Sequence, residues 1–441
     1  MLNFLLALFI AFFSFSSAQS LTGSRILALL PETKIQTQYS TFFEQLKERN
    51  YSVAIKAGSD KSIELGKLGE NLYDHILFLC PKCTKYGKNI NLPSILKFVK
   101  NGGNILFAAD SEMSQFNYDL ASEFGVVFET KESAVIDHTH YYNVPTSNST
   151  IKDTVIARNL NFNKHILPHY TDNKSQPEIF FKGIAHQFNK NSYMNLSILS
   201  GSLTTASVFK ASKDKLSVIP PSSQLSGYNL NLVSVFQTLN NARIAFIGGT
   251  EMLKDIYIDI QKSDNIYGNS KFLKDLSMWT FHESGVLSHS SPLIYKTLDK
   301  ISYESYQIKD SITYQVNISE YNQGKWTSFA ANDVQLEIRM LDPYIRTTLD
   351  YTPSGDLEFN TFKKVITLPD KYGVFKFQII YNRPGLTWVT ITDTIPILPL
   401  RHNQFPRFLS QAYPYYTSSF VLLGGFVILS ALWIFSPTFN K

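Results

Sequence analysis

Cys80 and Cys83 form a CxxC motif that directly follows an apolar segment, and this is the most reactive pattern in the sequence. In an oxidising compartment such a pair can act as a redox dithiol if a helix N-terminus lowers the pKa of its first cysteine. Gly87 and the run from Asn91 to Pro93 separate the motif from the next predicted helix. We therefore expect a structural short-loop disulfide or two inert thiols. A redox pair and a metal site remain alternatives, the latter without the second CxxC that zinc sites commonly use.

Cys80 could also serve as a nucleophile, because it ends a predicted strand as the nucleophile of amidotransferase-like hydrolases does. That chemistry needs a histidine and an acid from later strands. The sequence contains nine histidines, and we nominate His138, within the run from Asp137 to His140. No spacing selects it, so a thiol-dependent enzyme stays an alternative function.

Two glycine pairs and an acidic run also lie beside predicted strands. Gly102-Gly103 precedes its strand, so it cannot cradle a phosphate on a following helix. Gly248-Gly249 follows a strand, but it belongs to no GxGxxG or GxxxxGK[ST] motif, and we expect it to turn the backbone. The acidic run that begins at Asp110 is expected to form a helix N-cap. We expect no catalytic, cofactor-binding or metal-binding residue.

Short apolar strands alternate with helical patterns over residues 25–287. Strands that are apolar on both faces are typical of parallel sheets covered by helices. The alternation predicts a Rossmann-like α/β domain with a doubly wound, mostly parallel sheet, which we assign to residues 19–288. Residues 130–240 contain strand-like pieces that the pattern leaves unordered. The predicted strands are Arg25–Leu30, Tyr51–Ala57, Leu72–Cys80, Asn104–Ala109 and Ala242–Ile247, and the predicted helices are Tyr39–Asn50, Leu92–Lys100 and Glu251–Ile258.

From about residue 303 the apolar residues recur at every second position, which is typical of strands with one buried and one solvated face. We predict an antiparallel β-sandwich of roughly immunoglobulin size over residues 289–400. Trp326 and Val374 are large apolar residues of this region, and we expect at least one of them in the core. The alternating sets are Ile312, Tyr314, Val316 and Ile318; Val334, Leu336, Ile338 and Met340; Val374, Phe375, Phe377 and Ile379; and Leu386, Trp388 and Thr390.

Two apolar segments, one near each end, predict membrane targeting and anchoring. Residues 2–15 are almost wholly apolar and lead to small residues, which predicts a signal peptide over residues 1–18; an uncleaved anchor is the alternative. Residues 417–435 carry no charge. As a helix they would span about 28 Å, close to the thickness of a hydrocarbon core. We predict a type I membrane protein with an approach segment at 401–416 and a cytosolic tail at 436–441.

Gly424 and Gly425 lie in the middle of the predicted transmembrane helix. Small residues at such positions let a neighbouring helix approach closely, and in lipid this packing drives helix association. We expect them to be helix-packing residues rather than parts of a passive tether.

Composition excludes several classes of protein. The chain has 441 residues, 44% of them apolar and 17% charged, so it is neither disordered nor collagen-like and holds two or three domains. Two cysteines cannot frame a disulfide scaffold. The net charge of +5 is spread along the chain without a basic block. We therefore expect no nucleic-acid partner.

Five N-x-S/T sequons offer glycosylation sites if the chain is lumenal. The chain has 30 asparagines, and serine plus threonine fill about one position in six, so chance alone gives about five sequons. The number of sequons therefore does not establish the location. The candidate residues are Asn50, Asn148, Asn173, Asn195 and Asn317.

Short motifs are spread over nearly all of the mature chain, and their order along the chain resembles that of a known family. They are Leu72-Tyr73-Asp74, Gly87 to Asn91, Phe98-Val99, Gly102-Gly103-Asn104, Ala134 to His138, Asn240 to Arg243, Gly324-Lys325-Trp326, Gln335-Leu336-Glu337, Asp342-Pro343, Arg346-Thr347, Leu368-Pro369-Asp370, Tyr372 to Phe375, Tyr381-Asn382-Arg383, Pro399 to His402 and Ala412 to Tyr416. In this order they resemble the DDOST/Wbp-type, 48-kilodalton subunit family of the eukaryotic oligosaccharyltransferase.

The resemblance implies a non-catalytic, scaffolding subunit of the complex that transfers a preassembled oligosaccharide from dolichyl diphosphate to Asn of N-x-S/T. It implies no cofactor of its own. It also implies lipid and the other subunits as partners, among them the multi-spanning catalytic subunit, and a single-pass location in the endoplasmic reticulum membrane. Some members end in a dilysine retrieval signal, whereas this sequence ends in Ser-Pro-Thr-Phe-Asn-Lys. Retention is then expected to depend on assembly. A free-standing glycan-binding membrane protein is a further alternative.

Overall fold

The computed structural model describes residues 20–67, 69–87, 89–142, 153–170, 178–189, 194–212, 215–217, 225–259, 268–353, 359–405 and 409–436. The predicted signal peptide, all but residue 436 of the predicted tail, and the sequons at Asn148 and Asn173 lie outside these residues.

The first part of the chain alternates strands and helices, as predicted. Its helices are α1 (Ser40–Glu48), α2 (Leu92–Lys100), α3 (Gln115–Glu123), α4 (Asp255–Asp259) and α5 (Asn269–Thr280). Its strands are β1 (Arg25–Leu30), β2 (Ser52–Ala57), β3 (Gly66–Lys67), β4 (Glu70–Asn71), β5 (His75–Phe78), β6 (Asn104–Ala108), β7 (Val126–Phe128), β8 (Ser133–Asp137), β9 (Val155–Ala157), β10 (Asn159–Leu160), β11 (Ile179–Phe181), β12 (His186–Phe188), β13 (Asn195–Ser200), β14 (Thr205–Ser212), β15 (Lys215–Ser217), β16 (Asn231–Gln237) and β17 (Arg243–Ile247).

Five of these strands form the parallel core of the main sheet, in the order β2-β1-β5-β6-β17. Numbered along the chain, this is the 2-1-3-4-5 order of flavodoxin-like, doubly wound folds. Strands β16, β13 and β10 extend the sheet beyond β17 in antiparallel pairs. The predicted Rossmann-like fold is therefore confirmed, with an antiparallel extension that the sequence pattern left unordered.

Helices cover both faces of the parallel core, which explains why its strands are apolar on both sides. Ile26, Ala28 and Leu30 of β1 share one hydrophobic cluster with residues of α1 and α5. Leu27 and Leu29 belong to a second cluster, with residues of α2 and α3. Alternate residues of one strand thus pack against opposite layers, as a doubly wound fold requires.

Local signals explain which helix boundaries the sequence predicts correctly. Helix α2 has the predicted bounds because the Asn91 side chain accepts a hydrogen bond from Ser94 N–H in a capping box, and Gly102 ends the helix region at φ +88°. The prediction of one continuous helix over Glu251–Ile258 is wrong. A 3₁₀ turn at Thr250–Leu253 and the short α4 occupy this region instead.

The second part of the chain forms an antiparallel β-sandwich, as predicted. Its strands are β18 (Val286–His289), β19 (Leu293–Lys296), β20 (Tyr306–Gln307), β21 (Ser311–Asn322), β22 (Lys325–Ser328), β23 (Gln335–Arg339), β24 (Pro343–Thr348), β25 (Asp350–Pro353), β26 (Asn360–Thr367), β27 (Gly373–Tyr381) and β28 (Val389–Leu398). One sheet contains β18, β19, β21, β22, β25 and β26, and the other contains β20, β28, β27, β23 and β24. Among the strand pairs that the structure describes in these two sheets, only the short β20–β28 pair is parallel.

The expectation that Trp326 or Val374 lies in the core is wrong. Trp326 is 37% exposed and Val374 is 57% exposed. Phe375 and Phe377 of β27 point inward, so Val374 must face outward because neighbouring strand residues alternate between faces. Trp326 lies on β22 beside Tyr321 of β21, with ring centroids 5.1 Å apart, and does not belong to the hydrophobic cluster of the sandwich.

A loop of the sandwich, residues 382–388, packs against the α/β domain. The backbone carbonyl of Gly385 accepts a 2.8 Å hydrogen bond from Trp279 Nε1. Trp388 N–H donates to Asn241 Oδ1 at 2.7 Å. Gly385 has φ +88°, and a Cβ atom at this position would collide with a side chain of the α/β domain. Glycine is therefore required where the two domains meet.

Arg243 is the buried centre of this junction. Its guanidinium donates to the backbone carbonyls of Trp279, Ser284 and Gly285 at 2.7 Å each, and its Cζ lies 4.6 Å from the Trp279 ring centroid. Burial lowers the pKa of Arg243 to about 9, against the opposing effect of the Glu320 carboxylate. The side chain therefore stays charged at neutral pH. It binds carbonyls at the C-terminal end of α5, where a cation is favourable.

The last described helix, α6 (Tyr413–Phe435), is uncharged and has no buried residue. Residues 410–435 are long and apolar enough to cross a membrane. Tyr413 and Tyr415 lie at its start and Trp433 near its end, as expected for aromatic residues at the two interfaces.

Candidate functional site

The carboxyl ends of the parallel strands form the edge at which doubly wound folds bind ligands. The winding direction reverses between β1 and β5, so the switch point of this sheet lies there. The CxxC motif follows β5, the acidic run from Asp110 follows β6, and Gly248-Gly249 follows β17. The structure thus brings three sequence features to one edge.

A disulfide joins Cys80 and Cys83, and hydrogen bonds hold the same loop independently of it. Cys80 is buried and Cys83 is half-buried. Tyr86 OH donates to the Cys80 carbonyl at 2.8 Å. Asn117 Nδ2 donates to the carbonyls of Cys80 and Pro81 at 3.2 and 2.8 Å. Sequence reasoning missed Asn117 and Tyr86, because an amide and a phenol carry no spacing signal that points to a loop elsewhere in the chain.

The geometry around this loop favours a structural role over thiol chemistry. Helix α2 begins at Leu92, nine residues after Cys83, and the N-cap of α3, Ser114, donates its N–H to the Pro81 carbonyl at 2.9 Å rather than to a sulfur. The sulfur of Cys80 is bonded to Cys83 and is not a free thiolate. His138, the nominated base, is exposed directly after β8, which belongs to a separate three-stranded sheet.

The backbone of residues 182–184 packs directly against Gly248-Gly249. Ile184 N–H donates to the Gly248 carbonyl at 2.7 Å. A Cβ atom at Gly248 would collide with the Ile184 carbonyl, and one at Gly249 with the Lys182 carbonyl. The pair is glycine because two chain segments meet there. The N–H groups of Gly248 and Thr250, which a phosphate would need as donors, already donate to the carbonyls of Leu232 and Ala109 at 2.9 Å each.

The acidic run after β6 does not cap a helix, so that expectation is wrong. The Asp110 carboxylate accepts a hydrogen bond from Ser111 N–H at 2.7 Å, and the chain turns before α3 begins with Ser114 as N-cap. Glu112 forms an exposed ion pair with Lys82 on the neighbouring loop. An exposed pair of this kind stabilises a fold by about 0–1 kcal/mol.

Asp137, beside the nominated His138, is the centre of a buried polar cluster. Its carboxylate accepts hydrogen bonds from the hydroxyls of Ser202, Thr204 and Thr205 at 2.6–3.1 Å. It also accepts from the backbone N–H and hydroxyl of Thr139 at 2.8 and 2.7 Å. Burial acts to raise the pKa of Asp137, but these hydrogen bonds outweigh it and hold the pKa well below its usual value. The cluster joins two loops, and its function is structural.

We expect Asp137→Asn to lower the free energy of unfolding by about 1–3 kcal/mol, because an amide N–H₂ would face hydroxyl donors in a buried site. The carboxylate contributes stability above its unfolded pKa of about 3.9 and loses it as pH falls toward its depressed folded pKa. The difference in the free energy of unfolding between the variant and the wild type should therefore become smaller below about pH 4. Thermal unfolding of the full chain between pH 3 and pH 7 measures it; an equal loss at every pH would contradict this assignment.

Three of the five sequons lie in described residues and differ in geometry. Asn50 is exposed, at φ +64°, between α1 and β2. Asn195 lies half-buried in β13 and its Nδ2 donates to the Phe124 carbonyl at 3.0 Å. Asn317 lies half-buried in β21 and its Oδ1 accepts from Thr361 at 3.0 Å. Among these three, Asn50 presents its amide most freely to a modifying enzyme.

Gly424 and Gly425 leave open space on the surface of α6. A Cβ atom built at either residue meets no atom within 4 Å. The geometry leaves room for a neighbouring helix at this point, and the packing role remains a prediction.

Two models of one protein family match the two parts of this chain. The family model described as OST48, N-terminal domain, matches residues 17–283, which span the α/β region. The model described as OST48 middle domain matches residues 294–437, which span α6 and the sandwich apart from β18 and the first residue of β19. The chain belongs to the OST48 family. The resemblance carried by the ordered motifs is thereby confirmed.

Three relatives, from a plant, a yeast and a fish, are similar to this chain over most of its length. The chain is 34% identical over 431 residues to the dolichyl-diphosphooligosaccharide–protein glycosyltransferase 48 kDa subunit of Arabidopsis thaliana, which covers 96% of this chain and 95% of that one. It is 32% identical over 399 residues to subunit wbp1 of Schizosaccharomyces pombe, covering 90% and 89%. It is 31% identical over 436 residues to the 48 kDa subunit of Danio rerio, covering 97% and 95%. The similarity to these OST48-type chains thus extends over nine-tenths or more of this chain.

Proposed function

We propose that the chain is a non-catalytic, scaffolding subunit of the oligosaccharyltransferase complex, which attaches a preassembled oligosaccharide from dolichyl diphosphate to Asn of N-x-S/T. The observation that carries the proposal is membership of the OST48 family, whose relatives here are named as subunits of dolichyl-diphosphooligosaccharide–protein glycosyltransferase. The switch-point edge supports it. The groups that meet there are a disulfide, a surface ion pair and a backbone contact, all of which serve the fold.

The proposal places the chain in the endoplasmic reticulum membrane as a single-pass type I protein with its two domains in the lumen. Its partners are lipid and the other subunits, including the multi-spanning catalytic subunit. The uncharged helix α6 supports the single crossing, and the bare surface around Gly424 and Gly425 supports contact with another helix.

The direct test is purification of the tagged full-length chain in mild detergent, followed by identification of the proteins that accompany it. Oligosaccharyltransferase subunits in near-stoichiometric amounts are the expected result. An unrelated tagged type I protein serves as the control. Recovery of the chain free of such subunits, at normal abundance, would reject the scaffold proposal.

We expect the double substitution Cys80→Ser and Cys83→Ser to leave N-glycosylation near normal. The disulfide closes a loop of four residues, so its loss costs about 2 kcal/mol on the chain-entropy account, and Asn117 with Tyr86 still hold the loop. Gel mobility of a reporter glycoprotein measures the effect. Severe hypoglycosylation with the variant subunit still abundant would instead indicate a chemical role for the two thiols.

A further inference from the structure

One end of the sandwich is the end from which the chain leaves for α6. Strand β28 finishes there at Leu398, and Gly373, the first residue of β27, pairs with Ile397. Three connections turn at the same end, since β19 finishes and β21 begins there, β26 passes into β27, and β23 turns into β24. We call the loops 297–305, 340–342 and 368–372 the exit-end loops.

Each exit-end loop presents at least one large apolar side chain to solvent. Leu298 is 92% exposed, Leu341 is 82% exposed and Tyr372 is 65% exposed. A single exposed apolar residue is ordinary, but apolar tips on three loops at one end of a domain form a surface that calls for a partner. Ile301 and Tyr303 of the first loop are also exposed and enlarge that surface.

Charged side chains of both signs surround these apolar tips. Lys300 and Asp299 follow Leu298, Asp342 follows Leu341, and Lys371 and Asp370 precede Tyr372. Lys371 Nζ also lies 5.6 Å from the Tyr344 ring centroid. Large apolar and aromatic side chains ringed by mixed charges match the bilayer interface, where zwitterionic headgroups present phosphate and ammonium above the acyl chains.

The approach segment holds this end close to α6. Gln307 Nε2 donates to Gln404 Oε1 at 3.0 Å, so residue 404 lies against the sandwich. Nine residue steps from Gln404 to Tyr413 reach at most about 30 Å even when fully extended. Within this stretch Leu409 is exposed too. The exit end is therefore tethered near the membrane surface from which α6 descends.

We propose that the exit end of the sandwich docks on the bilayer that α6 crosses, with Leu298, Leu341 and Tyr372 inserted at the level of the lipid headgroups. The partner is the headgroup layer of zwitterionic phospholipid. This contact sets the height and tilt of both lumenal domains over the membrane, which one connecting segment alone could not do. It depends on α6 crossing a membrane and not on the glycosylation function.

Fluorescence at the loop tips tests the contact. Leu298→Cys and Leu341→Cys, labelled with an environment-sensitive dye, are placed in the full chain within its purified complex, in phosphatidylcholine nanodiscs that contain lipid spin-labelled near the headgroup. Cys80 and Cys83 are disulfide-bonded and escape labelling without reductant. The matched control is Ile380→Cys, 51% exposed near the other end of β27, the strand that begins beside Tyr372.

We expect the dye at residues 298 and 341 to show blue-shifted emission and quenching by the spin-labelled lipid. The dye at residue 380 should show neither change. A blue shift without lipid quenching would mean that a protein partner covers the loops, and no shift would mean that they stay in water. Either result overturns the proposal. In addition, Leu298→Asp with Leu341→Asp should reduce lipid quenching of a dye at Tyr372→Cys, and unchanged quenching would contradict insertion of the loop tips.

Discussion

Replacing Arg243 with methionine is expected to lower the free energy of unfolding by about 3–5 kcal/mol, because it leaves buried carbonyls without their charged donor. The carbonyls of Trp279, Ser284 and Gly285 lose a partner together, and the ring of Trp279 loses its stacked cation. Arg243→Lys should show an intermediate loss, since one ammonium group lacks the planar fork that serves three acceptors. Thermal unfolding of the purified full chain measures both variants.

Arg346→Met is the matched control for the arginine experiment. Arg346 forms an exposed ion pair with Glu337 across β23 and β24, and pairs of this kind contribute about 0–1 kcal/mol. The arginine junction joins the two domains, so we also expect Arg243→Met to expose the 382–388 loop to protease before the sandwich itself unfolds. Equal stability of the Arg243 and Arg346 variants would show that the junction does not depend on the buried cation.

The double substitution Gly424→Leu and Gly425→Leu is expected to reduce co-purification of partner subunits several-fold while preserving membrane insertion. Leucine raises the hydropathy of α6, so the helix should still insert. The two new side chains fill the open surface beside the glycines and prevent a neighbouring helix from approaching closely. Subunit recovery in mild detergent, normalised to the amount of this chain, is the measurement.

Ser419→Leu with Ser430→Leu provides a control on the opposite side of the same helix. At about 100° per residue, Ser419 and Ser430 lie nearly opposite the surface shared by Gly424 and Gly425. The control adds two leucines without filling the glycine surface, and it should leave recovery unchanged. If both pairs of substitutions behave like wild type, α6 is a tether and the assembly contacts lie in the two folded domains.

Sequence reasoning succeeded where one local signal dominated. The parallel core was predictable because β1, β6 and β17 are apolar runs of strand length, and Asn91 with Gly102 marks the ends of α2. The α6 helix was predictable from its length and lack of charge alone.

The sequence did not predict features that depend on distant contacts. Strand β8 pairs with β14, which lies about seventy residues later in the chain. No periodicity in residues 130–240 indicates this pairing. The phase of a strand was also misjudged, since Val374 and Phe375 are neighbours and cannot both face the core. At the candidate site the types of Cys80 and Gly248 were visible, but their roles depend on Asn117 and on the 182–184 backbone, which only the fold brings together.

The central claim is that the chain supports glycosylation by holding a complex together, without performing the transfer itself. The most direct measurement compares oligosaccharide transfer to an N-x-S/T peptide by the purified full-length chain, by the complex from cells depleted of it, and by the complex from cells in which it is restored. The account predicts no transfer by the chain alone, and loss and recovery of transfer in step with the amount of intact complex. Transfer by the isolated chain, or full activity of an intact complex that lacks it, would contradict the account.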